Sequence, residues 1–187
     1  MAWKVLGLSG SPRKDGNTDD AVREVLQALA EEPAVTTEFL RVADYHIEPC
    51  IGCRECMRLE DCAQQDDEFH LLWRKLVQSD LLLLGAPVYW NAPPGIMKDF
   101  IDRSHAYYAA PEKAQLRGKQ AAILSVATGG GFEPHESVMR SWLRYYGVDI
   151  VEQVRLYACE KGELLQRPSE VQKLRDLAVR LRNRHYG

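Results

Sequence analysis

Four of the chain's five cysteines lie close together, at positions 50, 53, 56 and 62. Thiolates are strong ligands for zinc and for iron–sulfur clusters. A structural zinc site usually divides its cysteines into two Cys-x2-Cys pairs separated by a longer segment, whereas three cysteines at successive x2 spacings are typical of 4Fe–4S ligation. The x5 spacing before the last cysteine, with no proline after it, departs from that pattern. The spacing alone therefore leaves a cluster, a zinc ion and free or redox-active thiols as alternatives.

A polar segment, residues 9–18, indicates a phosphate site. It follows a short apolar run at 5–8 and precedes an apolar stripe at helical spacing, so it lies where a strand ends and a helix begins. The segment offers hydroxyls, a guanidinium and small residues that suit phosphate oxygens, namely Ser9, Ser11, Arg13 and Thr18 with Gly10 and Gly16. It contains neither a Walker motif nor Gly-x-Gly-x-x-Gly. Asp19 and Asp20 compete with a phosphate for the helix dipole, and a plain polar turn is the alternative interpretation.

Two further loops suit a flat aromatic ligand. Residues 85–95 place Tyr89 and Trp90 side by side among prolines, where they can stack on a ring or flank it. Packing in the core or at an interface is the alternative. The glycines of residues 128–131 allow close approach of the backbone to a ligand, or form a mobile turn. All three loops follow predicted strands, so they converge on one edge and together suit a mononucleotide that carries a planar ring.

The elements that must position these loops alternate between strand and helix. Buried strands are predicted at residues 5–8, 36–42, 81–84, 120–127 and 149–157. Asn17 is predicted to cap the first helix, and residues 45–67 form a long cysteine-rich loop without periodicity. This alternation predicts an α/β, flavodoxin-like fold with a five-stranded parallel sheet in the order 2-1-3-4-5 and helices on both faces. We expect a single domain over residues 1–187.

Composition narrows the class of protein. The formal net charge is −3, with 24 Lys and Arg against 27 Asp and Glu, so the chain lacks the strong positive field that holds nucleic acid. The longest apolar run, residues 81–90, is too short to span a bilayer. The N-terminal residues lack the pattern of a signal peptide. We therefore expect a cytoplasmic protein with neither a membrane nor a nucleic-acid partner, in a compartment that disfavours disulfides.

The motifs resemble the flavodoxin-like NAD(P)H-dependent FMN oxidoreductases over most of the chain. The most specific parts are Gly-Ser-Pro-Arg and Gly-Asn-Thr within residues 10–18, Pro-Val-Tyr-Trp at 87–90 and Lys-Asp-Phe-Ile-Asp-Arg at 98–103. The resemblance implies FMN as cofactor and NAD(P)H as co-substrate, with the flavin N5 and no protein side chain carrying the chemistry. It implies that the phosphate is bound by Ser9, Ser11, Arg13, Asn17 and Thr18, and that the isoalloxazine ring is surrounded by Pro87, Val88, Tyr89, Trp90, Asn91, Thr128, Gly129 and Gly130.

The cysteine spacing is similar to that of the iron–sulfur flavoproteins, a branch of the same family that carries a 4Fe–4S cluster beside FMN. This resemblance implies that the cluster ligands are Cys50, Cys53, Cys56 and Cys62. Cysteines also occur in this loop of relatives without a cluster, so zinc and free thiols stay open.

These features predict an FMN-dependent oxidoreductase that passes electrons from NAD(P)H through FMN, with the cluster as a further carrier, to an acceptor. One alternative is an electron carrier that is reduced by ferredoxin and has little NAD(P)H activity. A second is a flavin-binding redox-sensing module. The resemblance also implies a homodimer or homotetramer, which is consistent with aromatic residues such as Trp90 that need cover.

Other notable residues are expected to be structural. Lys98, Asp102 and Arg103 match the family motif, but their helical spacing suits surface ion pairs better than catalysis. Cys159 is predicted to be a small buried residue at the end of the last strand.

Overall fold

The five predicted strands form one parallel sheet in the computed structural model, which describes residues 2–187. The strands are β1 (Trp3–Ser9), β2 (Val35–Arg41), β3 (Leu81–Pro87), β4 (Gln120–Ala127) and β5 (Asp149–Tyr157). Their order is β2-β1-β3-β4-β5, which confirms the predicted flavodoxin-like topology. β3 runs three residues beyond the predicted end at Leu84, because Gly85, Ala86 and Pro87 keep their register with β4.

Helices cover both faces of the sheet, as expected. They are α1 (Asn17–Leu29), α2 (Cys56–Leu59), α3 (Phe69–Gln78), α4 (Gly95–Arg103), α5 (Phe132–Tyr145) and α6 (Pro168–Tyr186). The short α2 lies inside the segment that the sequence predicts to be loop, so one turn of helix interrupts the cysteine-rich region. None of the helices in residues 2–187 combines the length and the apolar composition that a bilayer span requires.

The leucine run at the centre of the sheet divides the core into two clusters. Leu82 and Leu84 pack in one cluster with apolar residues of α3, α4 and α5. Leu81 and Leu83 pack in the other with apolar residues of α1 and α6. Alternate residues of a strand point to opposite faces, so a strand covered on both sides must be apolar at every position.

Two glycines bring α1 close to the sheet. A Cβ atom on Gly7 would lie 2.5 Å from Leu26 Cδ1, and one on Gly85 would lie 2.5 Å from Val22 Cγ2. Because these two positions carry no side chain, α1 can pack directly against β1 and β3. The strand order reverses direction between these two strands, and open α/β sheets bind their ligands in the crevice at such a point.

Candidate functional site

A cavity of about 130 Å³ lies at the carboxyl ends of four strands. The loops after β1, β3 and β4 contribute the predicted residues Ser11, Arg13, Asn17, Thr18, Pro87, Val88, Tyr89 and Thr128. The segment that follows β5 adds Ala158 and Cys159, which the sequence analysis did not assign to any site. The structure thus brings parts of all three predicted loops together at one cavity.

The N-terminus of α1 forms one wall of this cavity. Gly16 is the residue that precedes the helix, and no side chain caps the first turn. The backbone N–H groups of the first helical turn are therefore available to an anion, whose binding the helix dipole also favours. Thr18 lines the cavity and its hydroxyl makes no hydrogen bond to a described residue, while the exposed guanidinium of Arg13 takes part in no ion pair within residues 2–187. These donors suit a phosphate.

Asp19 does not compete for that position. Its buried carboxylate accepts hydrogen bonds from Ser9 Oγ at 2.5 Å and from the backbone N–H of Asp15 at 2.8 Å. The Nε atom of the buried Arg41 lies 2.9 Å from Asp19 Oδ2. The guanidinium of Arg41 therefore compensates this negative charge within the protein, and Asp19 does not line the cavity.

Two predicted phosphate ligands have other roles. Ser9 is fully buried and its hydroxyl donates to Asp19, so this hydroxyl proton is directed to the carboxylate and not to the cavity. Asn17 does not cap α1, since it is the first helical residue. Its amide nitrogen donates to the carbonyl oxygen of Glu160 at 2.8 Å, and its amide oxygen accepts from the backbone N–H of Leu164 at 3.2 Å. The side chain thus ties α1 to the segment after β5 and leaves its backbone N–H at the cavity.

A tight turn after β3 presents the aromatic pair. The backbones of Tyr89 and Ala92 exchange hydrogen bonds of 2.8 and 3.0 Å, and Trp90 and Asn91 between them have φ values of 50° and 63°. Consecutive left-handed residues are typical of a type I′ turn and are unfavourable for a bulky side chain such as tryptophan. Trp90 is 100% exposed. An energetically unfavourable backbone conformation that leaves an aromatic ring exposed to water is characteristic of ligand-binding loops.

The glycine turn after β4 leaves open space beside that aromatic turn. A Cβ atom on Gly129 or Gly130 would meet no atom within 4 Å, whereas Gly131 has a φ of 82° and packs against Asn91. The two open glycines let a planar group approach the backbone, and the third fixes the turn to the aromatic loop. This arrangement fits a ring bound between the two loops.

His135 of α5 lies beneath the aromatic turn and was not assigned to the site from the sequence. It is fully buried, and neither ring nitrogen has a hydrogen-bond partner among the described residues. Burial lowers the pKa of this histidine, because the charged imidazolium is poorly solvated there. The ring is therefore neutral at neutral pH.

A second cavity, of about 270 Å³, is lined by all four clustered cysteines, Cys50, Cys53, Cys56 and Cys62. The loop bends around it through left-handed residues at Gly52, Arg54 and Glu60. Within residues 2–187 no three His, Cys, Asp or Glu side chains converge closely enough to hold one metal ion. Four thiols spread around a cavity fit a multinuclear cluster, in which each iron takes its own thiolate.

The remaining predictions concern the charged residues of α4 and Cys159. Lys98 and Asp102 form the expected surface ion pair, with Nζ 2.6 Å from Oδ1. Arg103 does not, because its guanidinium is buried and lines the cysteine cavity. Cys159 is exposed at the first cavity, contrary to the prediction that it is buried. Its backbone N–H donates to Glu163 Oε2, which fixes the loop after β5 at this point.

The sequence model of the NADPH-dependent FMN reductase family matches residues 3–162. Among similar proteins, an iron–sulfur flavoprotein of Methanocaldococcus jannaschii is 40% identical over 132 residues, which cover 70% of this chain and 66% of that protein. An iron–sulfur flavoprotein of Methanosarcina thermophila is 29% identical over 150 residues, 79% of this chain and 76% of that protein. The chain thus spans slightly less than two thirds of the first of these relatives and about three quarters of the second.

Solved structures share the fold. An NAD(P)H:quinone oxidoreductase from Methanothermobacter marburgensis superposes with a TM-score of 0.77 over 97% of this chain and 96% of its own, at 18% identity. An FMN-dependent NADH-azoreductase from Bacillus anthracis in complex with FMN superposes with a TM-score of 0.71 over 96% and 99%, at 13% identity. At these identities the superpositions establish the flavodoxin-like fold.

Proposed function

The chain belongs to the NADPH-dependent FMN reductase family, which consists of flavin oxidoreductases, and on that premise we propose that it binds FMN and takes electrons from NAD(P)H. The observation that carries the proposal is the single cavity at the strand ends. It joins an uncapped helix N-terminus, which suits a phosphate, to an aromatic turn, which suits a flat ring.

The phosphate of FMN would be held by the first wall of the cavity. The hydroxyls of Ser11 and Thr18, the guanidinium of Arg13 and the backbone N–H groups at the start of α1 are the donors there. Asn17 contributes its backbone N–H and fixes the opposite wall through its side chain. Ser9 acts indirectly, by satisfying Asp19.

The isoalloxazine ring would lie between the two later loops. The proposed contacts are Pro87, Val88, Tyr89, Trp90 and Asn91 on one side and Thr128, Gly129 and Gly130 on the other. When bound, FMN supplies a hydride acceptor at N5 and can release electrons singly or in pairs. The protein's part is to hold the ring, to present one face of it to the nicotinamide and to exclude water with its aromatic side chains.

We also propose that the second cavity holds a 4Fe–4S cluster on Cys50, Cys53, Cys56 and Cys62. The support is the four thiols around one cavity and the two relatives whose names describe iron–sulfur flavoproteins. A bound cluster supplies one-electron transfer between the flavin and a partner. The chain's own contribution is to bring four thiols and a buried guanidinium to one cavity.

A second candidate function is an electron carrier reduced by ferredoxin. It is favoured by the exposure of Cys50 and Cys53 and by apolar side chains on the same loop, of which Ile51 is 72% exposed. An exposed apolar rim next to a redox centre suits a protein partner. Self-association into a homodimer or homotetramer is also part of the proposal, since it would cover exposed aromatic residues such as Trp90 and Tyr108.

The test begins with anaerobic purification, followed by assays of FMN, iron and acid-labile sulfide per chain. One FMN with about four irons and four sulfides supports both cofactors. Bleaching of the flavin by NAD(P)H within seconds supports the oxidoreductase, whereas bleaching only by reduced ferredoxin supports the carrier. FMN without iron or sulfide after reconstitution rejects the cluster, and no FMN binding at all rejects the function.

A matched pair of variants locates the cluster. Cys62→Ser is expected to lose most of its iron and sulfide, because a ligand at the cavity is removed. Cys159→Ser is the control, since this exposed cysteine lines the other cavity, and its iron content should equal that of the wild type. Equal iron contents in the two variants would contradict the ligand assignment.

A further inference from the structure

Arg103 is a buried charge that the proposed flavin site does not use. It is the last residue of α4, it is 1% exposed, and it lines the same cavity as the four cysteines. Taking a guanidinium out of water is costly unless its donors are paired. Its partners therefore show what the residue is positioned to do.

The guanidinium joins the two ends of the cysteine-rich segment. It forms a bidentate ion pair with the buried carboxylate of Asp67. It also donates to the carbonyl oxygen of Glu48 at 2.8 Å and to that of Gln64 at 3.0 Å. Glu48 precedes the first clustered cysteine, and Gln64 and Asp67 follow the last. One side chain thus closes the loop that carries all four thiols.

One donor of Arg103 is left without a partner. Nε is buried and makes no hydrogen bond to a described residue. Cys62 lines the same cavity and lies two residues before Gln64, whose carbonyl oxygen this guanidinium binds at 3.0 Å. The aromatic ring of Phe69 covers the guanidinium carbon at 5.1 Å from the ring centroid, so water has little access. A buried N–H donor needs an acceptor, and the cavity that Arg103 lines offers it the cysteine sulfurs.

We infer that Arg103 is a positioning residue of the iron–sulfur cluster: its Nε–H donates a hydrogen bond to the Sγ ligand atom of Cys62, while its other donors fix the two ends of the loop. This inference rests on the proposed cluster. A hydrogen bond to a ligand sulfur stabilises the reduced, more negative cluster, and therefore raises the reduction potential. Arg103 would thus make the cluster easier to reduce than four cysteines alone.

Three variants separate this role from a purely structural one. Arg103→Lys keeps the positive charge but removes the planar Nε–H donor. Asp67→Asn weakens the ion pair and leaves that donor in place. Arg54→Lys changes an exposed arginine on the same cavity, where water screens its charge. The readouts are iron and sulfide per chain and the cluster potential, from an anaerobic redox titration followed by electron paramagnetic resonance.

Arg103→Lys is expected to have a lower cluster potential than the wild type, or to lose iron while it still binds FMN. Arg54→Lys should match the wild type, and Asp67→Asn should have an equal or higher potential, since it removes a negative charge. An unchanged potential and iron content in Arg103→Lys would overturn the inference. So would a lowered potential or an iron loss of the same size in Asp67→Asn, because the ion pair alone would then account for both.

A measurement on the wild type does not depend on how the variants fold. Protein labelled with 15N only in its arginines is examined by pulsed electron paramagnetic resonance of the reduced cluster. A 15N coupling that persists in Arg54→Lys supports the inference, and its absence overturns it. If the wild type carries no iron or sulfide after reconstitution, the proposed cluster and this inference fall together. If it carries the cluster without the coupling, only the inference falls.

Discussion

Replacing Thr18 by valine tests the phosphate site without disturbing the fold. The two side chains have nearly the same shape, and the Thr18 hydroxyl makes no hydrogen bond to a described residue, so the apoprotein loses no internal interaction. If this hydroxyl donates to the phosphate of FMN, its loss removes a hydrogen bond to a charged group, worth about 2 kcal/mol. That corresponds to about 30-fold weaker FMN binding. The free energy of unfolding of the apoprotein should not fall.

The assay is a titration of apoprotein with FMN, read by quenching of flavin fluorescence, beside urea unfolding of the same samples. Ser9→Ala is the matched control. Its hydroxyl donates to the buried carboxylate of Asp19, so we expect that variant to lose about 1–3 kcal/mol of stability with a smaller change in FMN affinity. Binding by Thr18→Val that is as tight as that of the wild type would refute the phosphate site.

Further predictions concern packing, pH and the link between α1 and the last strand. Gly85→Ala should destabilise the protein by about 1–3 kcal/mol in urea unfolding, because the new Cβ lies 2.5 Å from Val22 Cγ2, whereas Gly129→Ala, which meets nothing within 4 Å, should be near neutral. The free energy of unfolding of the wild type should decrease as the pH falls below about 6.5, because the unfolded chain binds a proton at His135 more readily than the folded chain does. His135→Leu should lose less stability over the same range, and equal pH profiles of the two proteins would contradict this reasoning. Asn17→Ala should cost about 1–2 kcal/mol and weaken FMN binding, because the loop after β5 loses two hydrogen bonds; unchanged affinity would show that this wall does not contact the ligand.

The sheet was predictable because its signals are local. Buried strands are recognised by apolar runs such as residues 81–84, and these runs alternate along the chain with apolar stripes at helical spacing. The short loops between strands and helices limit the possible topologies. The ends of the strands were harder to predict. β3 continues to Pro87 because of its register with β4, which depends on a partner distant in the sequence.

The site was predictable to the level of its loops but not of its individual side chains. Hydroxyls at 9, 11 and 18 look equivalent in the sequence, yet Ser9 faces a buried carboxylate and Thr18 faces the cavity. Arg103 follows Asp102 by one residue, and helical spacing predicts that both lie near the surface. Only the folded path of residues 48–67 shows that the arginine is enclosed. Cys159 lies after the last strand, as predicted, but only the folded structure shows that it is exposed at the cavity and not packed in the core.

The bonds of Asn17 to Glu160 and Leu164 have a consequence for the order of assembly. The two bonds join residues that are 143 and 147 positions apart in the sequence. The segment after the last strand also supplies Ala158 and Cys159 to a cavity whose first wall begins at Ser11. Closing so long a loop is slow relative to forming local contacts, because its entropic cost must be met before the contacts form. A nascent chain that has emerged only as far as β4 thus has three of the loops and no closed cavity. Cofactor capture on the ribosome would therefore have to wait until synthesis has passed Leu164.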